Sequence, residues 1–259
     1  TWKKHHPMQV LDQNPFYTIA EVYGYGISSG QDYDFGDRKV NYFQNGFNSM
    51  INFEFKWNAA QSDYETLFSK YSNHLNNELK GYSVLNYMSS HDDGQPFDAN
   101  RVKGFEAGTK LLLSPGMSQV YYGDESNRSL VVEGTQGDAT LRSNMNWDDI
   151  QNNPDTKFML SHWQKLGQFR RNHPAVGAGV HTQLSSQPYV FSRTYSKGSF
   201  TDKVLIGLDL PEGRKELSVF SLFENGTKLR DGFSNKETEV VDGKVIIDSE
   251  FGIVLLEKI

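Results

Sequence analysis

Four short apolar and aromatic runs recur along the first half of the chain, at residues 16–20, 50–55, 84–88 and 118–122. Each run has the length of a β-strand and is rich in the branched and aromatic residues that strands favour. Their spacing of about 34 residues is close to the roughly 31 residues per unit of a (β/α)₈ barrel of about 250 residues. This repeat is the strongest constraint on what the chain can fold into.

Helical patterns separate these runs. Apolar residues recur at three- and four-residue steps over 58–79, 97–113 and 155–171, and prolines follow the last two segments. Residues 27–46, by contrast, are rich in Gly and Asp and predict a long loop with little helix. Strands that alternate with helices predict a parallel sheet.

Acidic and histidine side chains stand where such strands end. Glu21 follows the first run, His91 and Asp92 follow the third, and Asp124 follows the fourth. Asp93 and Glu125 adjoin the last two clusters. The carboxyl ends of barrel strands form the active-site face, so these residues are predicted to meet there.

The pattern changes after Pro174. Short alternating runs separated by Gly-containing turns continue to the end of the chain, with no helical pattern between them. This pattern of alternating runs and turns predicts an antiparallel β-sandwich domain. We therefore expect one domain over residues 1–175 and a second over 176–259.

Composition excludes several classes. The chain has 26 Lys and Arg against 32 Asp and Glu, a net charge of −6, which is the wrong sign for a nucleic-acid binder. No apolar stretch approaches the about 20 residues of a membrane-spanning helix. Cysteine is absent, so disulfides and thiol chemistry are excluded. The acids of residues 32–37 lack the Gly and Glu positions of a calcium loop, and we expect no metal site there.

Four motifs resemble the α-amylase family of glycoside hydrolases, family 13. FYTIAEVYG at 16–24 is similar to the family's fifth-strand motif, and VLNYMSSHD at 84–92 to its seventh-strand motif. LLLSPGMSQVYYGDE at 111–125 is similar to the segment around the eighth strand, and RSNMNW at 142–147 to the stretch that follows. The resemblance is strongest to bacterial exported α-amylases. It implies strands five to eight of a (β/α)₈ barrel and retaining hydrolysis of α-1,4-glucosidic bonds in starch or maltodextrin.

The resemblance also implies residue roles. Glu21 would be the general acid/base, Asp92 would bind sugar hydroxyls and stabilise the transition state, and His91 would hydrogen-bond the sugar. Weaker substrate contacts would come from Tyr23, Tyr25 and Asp124. The apolar neighbours of Glu21 in sequence predict a setting that raises the pKa of its carboxyl, as an acid catalyst needs.

One family feature is missing. The nucleophile of the family is an Asp in an Arg-x-Asp motif on the fourth strand, and the chain contains no Arg-x-Asp. The first residues also lack a signal-peptide pattern and read as an interior point of a longer protein. The expectation is a C-terminal portion that is inactive alone, with an open half-barrel that would self-associate as a secondary outcome.

Other expectations rest on the resemblance alone. No cofactor is expected in this chain, and calcium, which family members often bind, would be held by segments absent here. The location would be periplasmic or extracellular. Two alternatives stay open: a 4-α-glucanotransferase that uses the same carboxylates, and a non-catalytic carbohydrate-binding accessory chain.

Overall fold

The computed structural model describes residues 2–10 and 14–259, and its first part alternates strands with helices. The strands here are β1 (Ile19–Ala20), β2 (Asp32–Asp34), β3 (Lys39–Asn41), β4 (Ser49–Asn52), β5 (Ser83–Tyr87) and β6 (Met117–Gln119). The helices are α1 (Trp2–His5), α2 (Phe55–Gln61), α3 (Tyr64–Asn76), α4 (Gly104–Leu113), α5 (Trp147–Asn152), α6 (Pro154–Asn172) and α7 (Pro174–Ala178). Short 3₁₀ turns cover Pro7–Gln9, Ile27–Ser29 and Gly137–Arg142.

The four predicted runs form one parallel sheet. Its order is β1-β4-β5-β6, so strands that are successive repeats in the sequence are neighbours in space. Strands β1, β4 and β6 are shorter than the apolar runs that predicted them, whereas β5 matches its run in length. The loop of residues 27–46 contains only a 3₁₀ turn and the β2–β3 hairpin.

The two faces of this sheet differ. Met50 and Val84 are fully buried on the face that the helices cover. Asn52 lies on the same face and donates from Nδ2 to Asn86 Oδ1 at 2.8 Å, which pairs two polar side chains inside the core. On the opposite face, Ile19 is 38% exposed, so apolar surface there stays partly open to solvent.

Polar side chains at helix N-termini set boundaries that apolar spacing did not predict. The pattern over 58–79 is two helices, because the Asp63 carboxylate accepts from Thr66 N at 2.7 Å and starts α3 anew. The pattern over 97–113 becomes helical only at Gly104. Before it, the Asp98 carboxylate accepts from Lys103 N at 2.7 Å and holds a turn.

Helix α6 packs against α4 through a glycine contact. A Cβ on Gly108 would lie 2.8 Å from Cε2 of Trp163, so only glycine permits this approach. The Trp163 indole also donates to the carbonyl oxygen of Gly104 at 3.1 Å. The α4 C-terminus is held by Arg170, which donates to the carbonyls of Leu112 and Ser114 at 3.0 and 2.8 Å.

The second part is antiparallel β-structure, as predicted. Its strands are β7 (Val180–Ser186), β8 (Tyr189–Lys197), β9 (Phe200–Leu208), β10 (Gly213–Ser218), β11 (Lys228–Asp231), β12 (Glu237–Glu239), β13 (Lys244–Ser249) and β14 (Val254–Lys258). A six-stranded sheet has the order β12-β11-β14-β9-β8-β7, and β10 pairs with β13. Leu217 and Val245 of the two-stranded sheet share a core with Leu205 and Leu256 of the six-stranded one.

The two parts also share a core. Phe191, Val204 and Leu255 of the β-region belong to the same buried cluster as Met50 and Leu111 of the α/β part. Among the described residues, no helix is long and apolar enough to cross a membrane.

Candidate functional site

A cleft of about 650 Å³ opens at the carboxyl ends of β1, β4 and β5. Glu21 and Tyr23 enter it directly after β1, and His91 and Asp92 enter it from the loop after β5. Four of the six predicted site residues therefore line one cavity. They meet because parallel strands deliver the residues that follow them to the same edge of the sheet.

Glu21 lies exposed at this edge. The apolar setting expected from its sequence neighbours is not formed by the described chain, since Val22 packs against the main core instead. The ring of Tyr23 lies beside Phe53, with 5.6 Å between centroids, and is itself largely exposed. Burial, with smaller contributions from the charges of Asp93 and Glu21, raises the pKa of Tyr87, so its phenol stays protonated at the floor of the cleft.

His91 and Asp92 form a polar pair at the cleft wall. His91 Nε2 lies 3.0 Å from Asp92 Oδ2, and Arg142 Nη2 lies 2.7 Å from Asp92 Oδ1. Arg142 Nε also donates to the carbonyl oxygen of His91 at 3.1 Å. All three side chains are more than half exposed, so they can reach a ligand in the cleft.

A buried ion pair lies next to them. The ammonium group of Lys56 on α2 contacts the carboxylate of Asp93 and donates to the carbonyl oxygen of Gln95 at 2.6 Å. The same ammonium lies 4.5 Å from the ring centroid of Trp57, whose half-exposed indole lines the cleft. This pair joins α2 to the loop that carries His91 and Asp92.

Tyr25 and Asp124, the other two predicted residues, do not line the cleft. Tyr25 is fully buried, and its hydroxyl donates to the carbonyl oxygen of Gly30 at 2.7 Å. Tyr25 is a packing residue, because five residues after β1 the chain has already turned into the core.

Asp124 is buried under the β5 loop. Ser89 Oγ donates to its carboxylate at 2.6 Å, and Arg101 Nη1 lies 2.9 Å away. Burial raises the pKa of the Asp124 carboxyl, while Arg101 and Ser89 oppose that rise. Ser89 begins the segment that carries His91. Asp124 therefore contacts the loop that lines the cleft without lining the cleft itself.

Sequence reasoning missed Lys56, Trp57 and Arg142 as members of the site, and it placed Asp93 at the active-site edge without a role. Arg142 stands in a stretch matched by resemblance, but no role was assigned to it. The signal for Asp93 was its place directly after His91 and Asp92; Lys56 and Trp57 carried only the weak signal of following a strand.

The acidic loop of residues 32–41 is a hairpin whose acids face nearby cations. Lys39 Nζ lies 3.8 Å from Asp34, and Arg38 Nη1 lies 3.6 Å from Asp37. Across residues 2–10 and 14–259, no group of three or more His, Asp or Glu side chains is arranged to hold a metal ion.

Solved structures with a similar arrangement of elements include α-amylases. The α-amylase of Geobacillus thermoleovorans, solved with acarbose, aligns with a TM-score of 0.64 and 15% identity over 94% of this chain and 53% of its own. An Anoxybacillus α-amylase aligns with a TM-score of 0.59 and 21% identity, over 93% of this chain and 52% of its own. The chain therefore has the fold of about half of such an enzyme.

Sequence similarity identifies the family. The chain is 36% identical over 207 residues to the periplasmic α-amylase of Escherichia coli strain K12, an alignment that covers 79% of this chain. No protein-family model matches the chain. The chain belongs to the α-amylase family of glycoside hydrolases and corresponds to the C-terminal part of its members. It spans 28% of the length of the Escherichia coli relative.

Proposed function

We propose that this chain is the C-terminal portion of an α-amylase that hydrolyses α-1,4-glucosidic bonds in starch and maltodextrin with retention of configuration. The observation that carries the proposal is the meeting of Glu21 with His91 and Asp92 in one cleft at the carboxyl edge of a parallel sheet. The 36% identity to a periplasmic α-amylase supports the same substrate class.

In this proposal Glu21 is the general acid/base. It stands exposed in the cleft, where it can protonate the glycosidic oxygen and later take a proton from water. Asp92 binds sugar hydroxyls and, through its charge, favours the oxocarbenium-like transition state. His91, held 3.0 Å from Asp92, donates a hydrogen bond to the sugar.

The nucleophile lies outside this chain. A retaining glycosidase needs a second carboxylate about 5–5.5 Å from the acid/base. Among the described residues, the carboxylates that line the cleft besides Glu21 are Asp92 and Asp93. Asp93 is paired with the buried ammonium of Lys56, and this proposal assigns Asp92 to the sugar hydroxyls, so we place the nucleophile on a barrel strand outside this chain.

We assign the parallel strands β1, β4, β5 and β6 to barrel strands five to eight. A barrel with strands one to four added would cover the partly open face on which Ile19 lies and would bring in the family's Arg-x-Asp. Residues 1–175 would then be the second half of the catalytic barrel, and residues 176–259 the C-terminal β-sandwich. Without that half, the open edge is a site of self-association.

The remaining assignments follow from the relatives. An exported enzyme, periplasmic or extracellular, agrees with the location of the Escherichia coli relative. The chain itself needs no cofactor in this proposal, and any calcium would be bound by the other half of the protein. A glucanotransferase would use the same cleft, and the fate of the sugar intermediate separates the two.

The test compares two proteins on soluble starch and maltoheptaose. One is the 259-residue chain, and the other is a longer product of the same gene that adds the upstream coding sequence. We expect reducing-sugar release only from the longer protein. Release of reducing sugar by the 259-residue monomer would overturn the assignment of the nucleophile. Sugar binding without turnover by the longer protein would favour the accessory-chain alternative, and longer glucans as products would favour the transferase.

A further inference from the structure

The ion pair of Lys56 and Asp93 is the most deeply buried charge pair at the cleft. Lys56 is only 6% exposed, and the Asp93 side chain is 12% exposed. Withdrawing both charges from water costs several kcal/mol per ion in general, and their attraction repays that cost only where the geometry satisfies both groups. If the pair had no role in function, joining the two segments by buried charges would cost more free energy than joining them by apolar contacts.

The contacts of Lys56 are confined to one loop and one ring. An ammonium group has three protons to donate, and the oxygens that accept from Lys56 belong to Asp93 and Gln95. Its remaining close contact is the face of the Trp57 indole, at 4.5 Å. Asp93 in turn accepts from Gln95 N at 2.9 Å, so the loop closes around the ammonium.

Asp92 stands directly before Asp93 in this loop. Its side chain is held on the other side by Arg142, but that contact is more than half exposed and is weakened by solvent. The buried attachment through Asp93 therefore fixes the backbone, while the exposed one only orients the Asp92 carboxylate. Both attachments therefore hold Asp92 and its neighbour His91 at the cleft.

We propose that Lys56 and Asp93 are positioning residues for Asp92 and His91, an inference that rests on the proposed glycosidase function. The pair touches no substrate and transfers no proton. It holds the loop after β5 against α2, so that the Asp92 carboxylate stands where sugar hydroxyls bind. A displacement of about 1 Å at such a group can cost on the order of 10²-fold in rate.

The test uses the longer protein that carries the whole barrel, with starch hydrolysis as the assay. In Lys56→Met and in Asp93→Asn we expect kcat to fall by about 10- to 100-fold, with a smaller change in KM. Lys56→Arg keeps a cation beside Asp93 and should recover most of the rate. The matched control is Lys244→Met, which breaks the exposed Lys244–Glu216 pair of the β-region and should leave kcat unchanged.

A double-mutant cycle separates positioning from a merely structural role. If Lys56 acts through Asp92, Lys56→Met should lower kcat of the wild type but add little to an Asp92→Asn variant. An equal fall in both backgrounds, or no fall in the wild type, would overturn the inference. Asp93→Asn keeps the shape of the loop and gives the same comparison should Lys56→Met fail to fold.

Failure of the inference can be told from failure of the proposed function by Glu21→Gln in the same protein. An inactive Glu21→Gln with a fully active Lys56→Met overturns the positioning role alone. A fully active Glu21→Gln overturns the glycosidase assignment, and the positioning role falls with it.

Discussion

Arg142 Nη2 lies 2.7 Å from Asp92 Oδ1, across 50 positions of sequence. The two side chains are 51% and 54% exposed, so the pair contributes at most about 1 kcal/mol to stability. The pair instead fixes the orientation of Asp92 and His91, because the same guanidinium also donates to the carbonyl oxygen of His91. The contact therefore matters more for the cleft than for the fold.

Arg142→Gln should separate these two effects. We expect the melting temperature to change by no more than a few degrees and kcat/KM on maltoheptaose to fall about 10-fold or more, because the Asp92 carboxylate loses a partner that fixes it. Thermal melts and steady-state kinetics of the longer protein measure both quantities. Arg38→Gln, which removes an exposed guanidinium of the β2–β3 hairpin, is the control. A large loss of melting temperature with unchanged kinetics would contradict the prediction.

Asp92→Asn should lower kcat more than it raises KM. The negative charge matters most when the sugar ring becomes oxocarbenium-like, so its loss removes stabilisation that exists mainly in the transition state. His91→Ala should have a milder effect, since it removes a hydrogen bond and no charge. Kinetics of both variants on maltoheptaose test this order. A change in KM alone for Asp92→Asn would reduce Asp92 to a ground-state contact.

The sheet was predictable because its signals are local. Four apolar runs and three helical patterns recur at a regular spacing, and each needs only its own neighbours to be recognised. Helix starts were less predictable, since they depend on single hydrogen bonds such as that between Asp63 and Thr66.

The site was predictable only in part, for a physical reason. Glu21, His91 and Asp92 follow strands directly, so strand order alone brings them together. Tyr25 also follows β1, but its ring enters the core, and sequence spacing cannot show that turn. Lys56 and Asp93 meet through a tertiary contact across 37 positions, which no local pattern encodes.

Two buried histidines should make stability depend on pH. Burial lowers the pKa of His162 to about 4, and burial with the nearby Arg193 lowers that of His181 to about 4. A free imidazole titrates near pH 6.5. Between about pH 6.5 and pH 4 the unfolded chain therefore binds protons that the folded chain does not, and the free energy of unfolding falls as pH decreases. Each histidine accounts for up to about 3 kcal/mol of that fall.

Urea unfolding of the 259-residue chain between pH 8 and pH 4 measures this dependence. In His162→Gln the fall over that window should be shallower, because one of the two titrating imidazoles is gone. His5→Gln replaces an exposed histidine and should follow the wild-type curve. A His162→Gln curve parallel to the wild type would show that this imidazole is not the titrating group.

We expect His173 to stabilise the contact between the helical part and the β-region. Its Nδ1 lies 2.9 Å from Asp202 on β9, and its Nε2 lies 2.5 Å from Glu257 on β14. Loss of a hydrogen bond to a charged group costs about 1.5–3 kcal/mol, so His173→Ala should lower the free energy of unfolding by at least about 2 kcal/mol. Chemical denaturation at pH 7 measures it, with His5→Ala as the control. A loss below 0.5 kcal/mol would contradict the role.

The most direct test of the account is turnover by Glu21→Gln in the longer protein. The substitution keeps the shape of the side chain and removes the transferable proton, and general acid–base catalysis contributes about 10²–10⁴-fold. We expect the rate of starch hydrolysis to fall by at least about 10²-fold, while maltoheptaose binding, measured by calorimetry, is retained. Glu212→Gln, an exposed glutamate of the β-region, should be fully active. Hydrolysis by Glu21→Gln at the wild-type rate would contradict the central claim that Glu21 is the acid/base of an α-amylase.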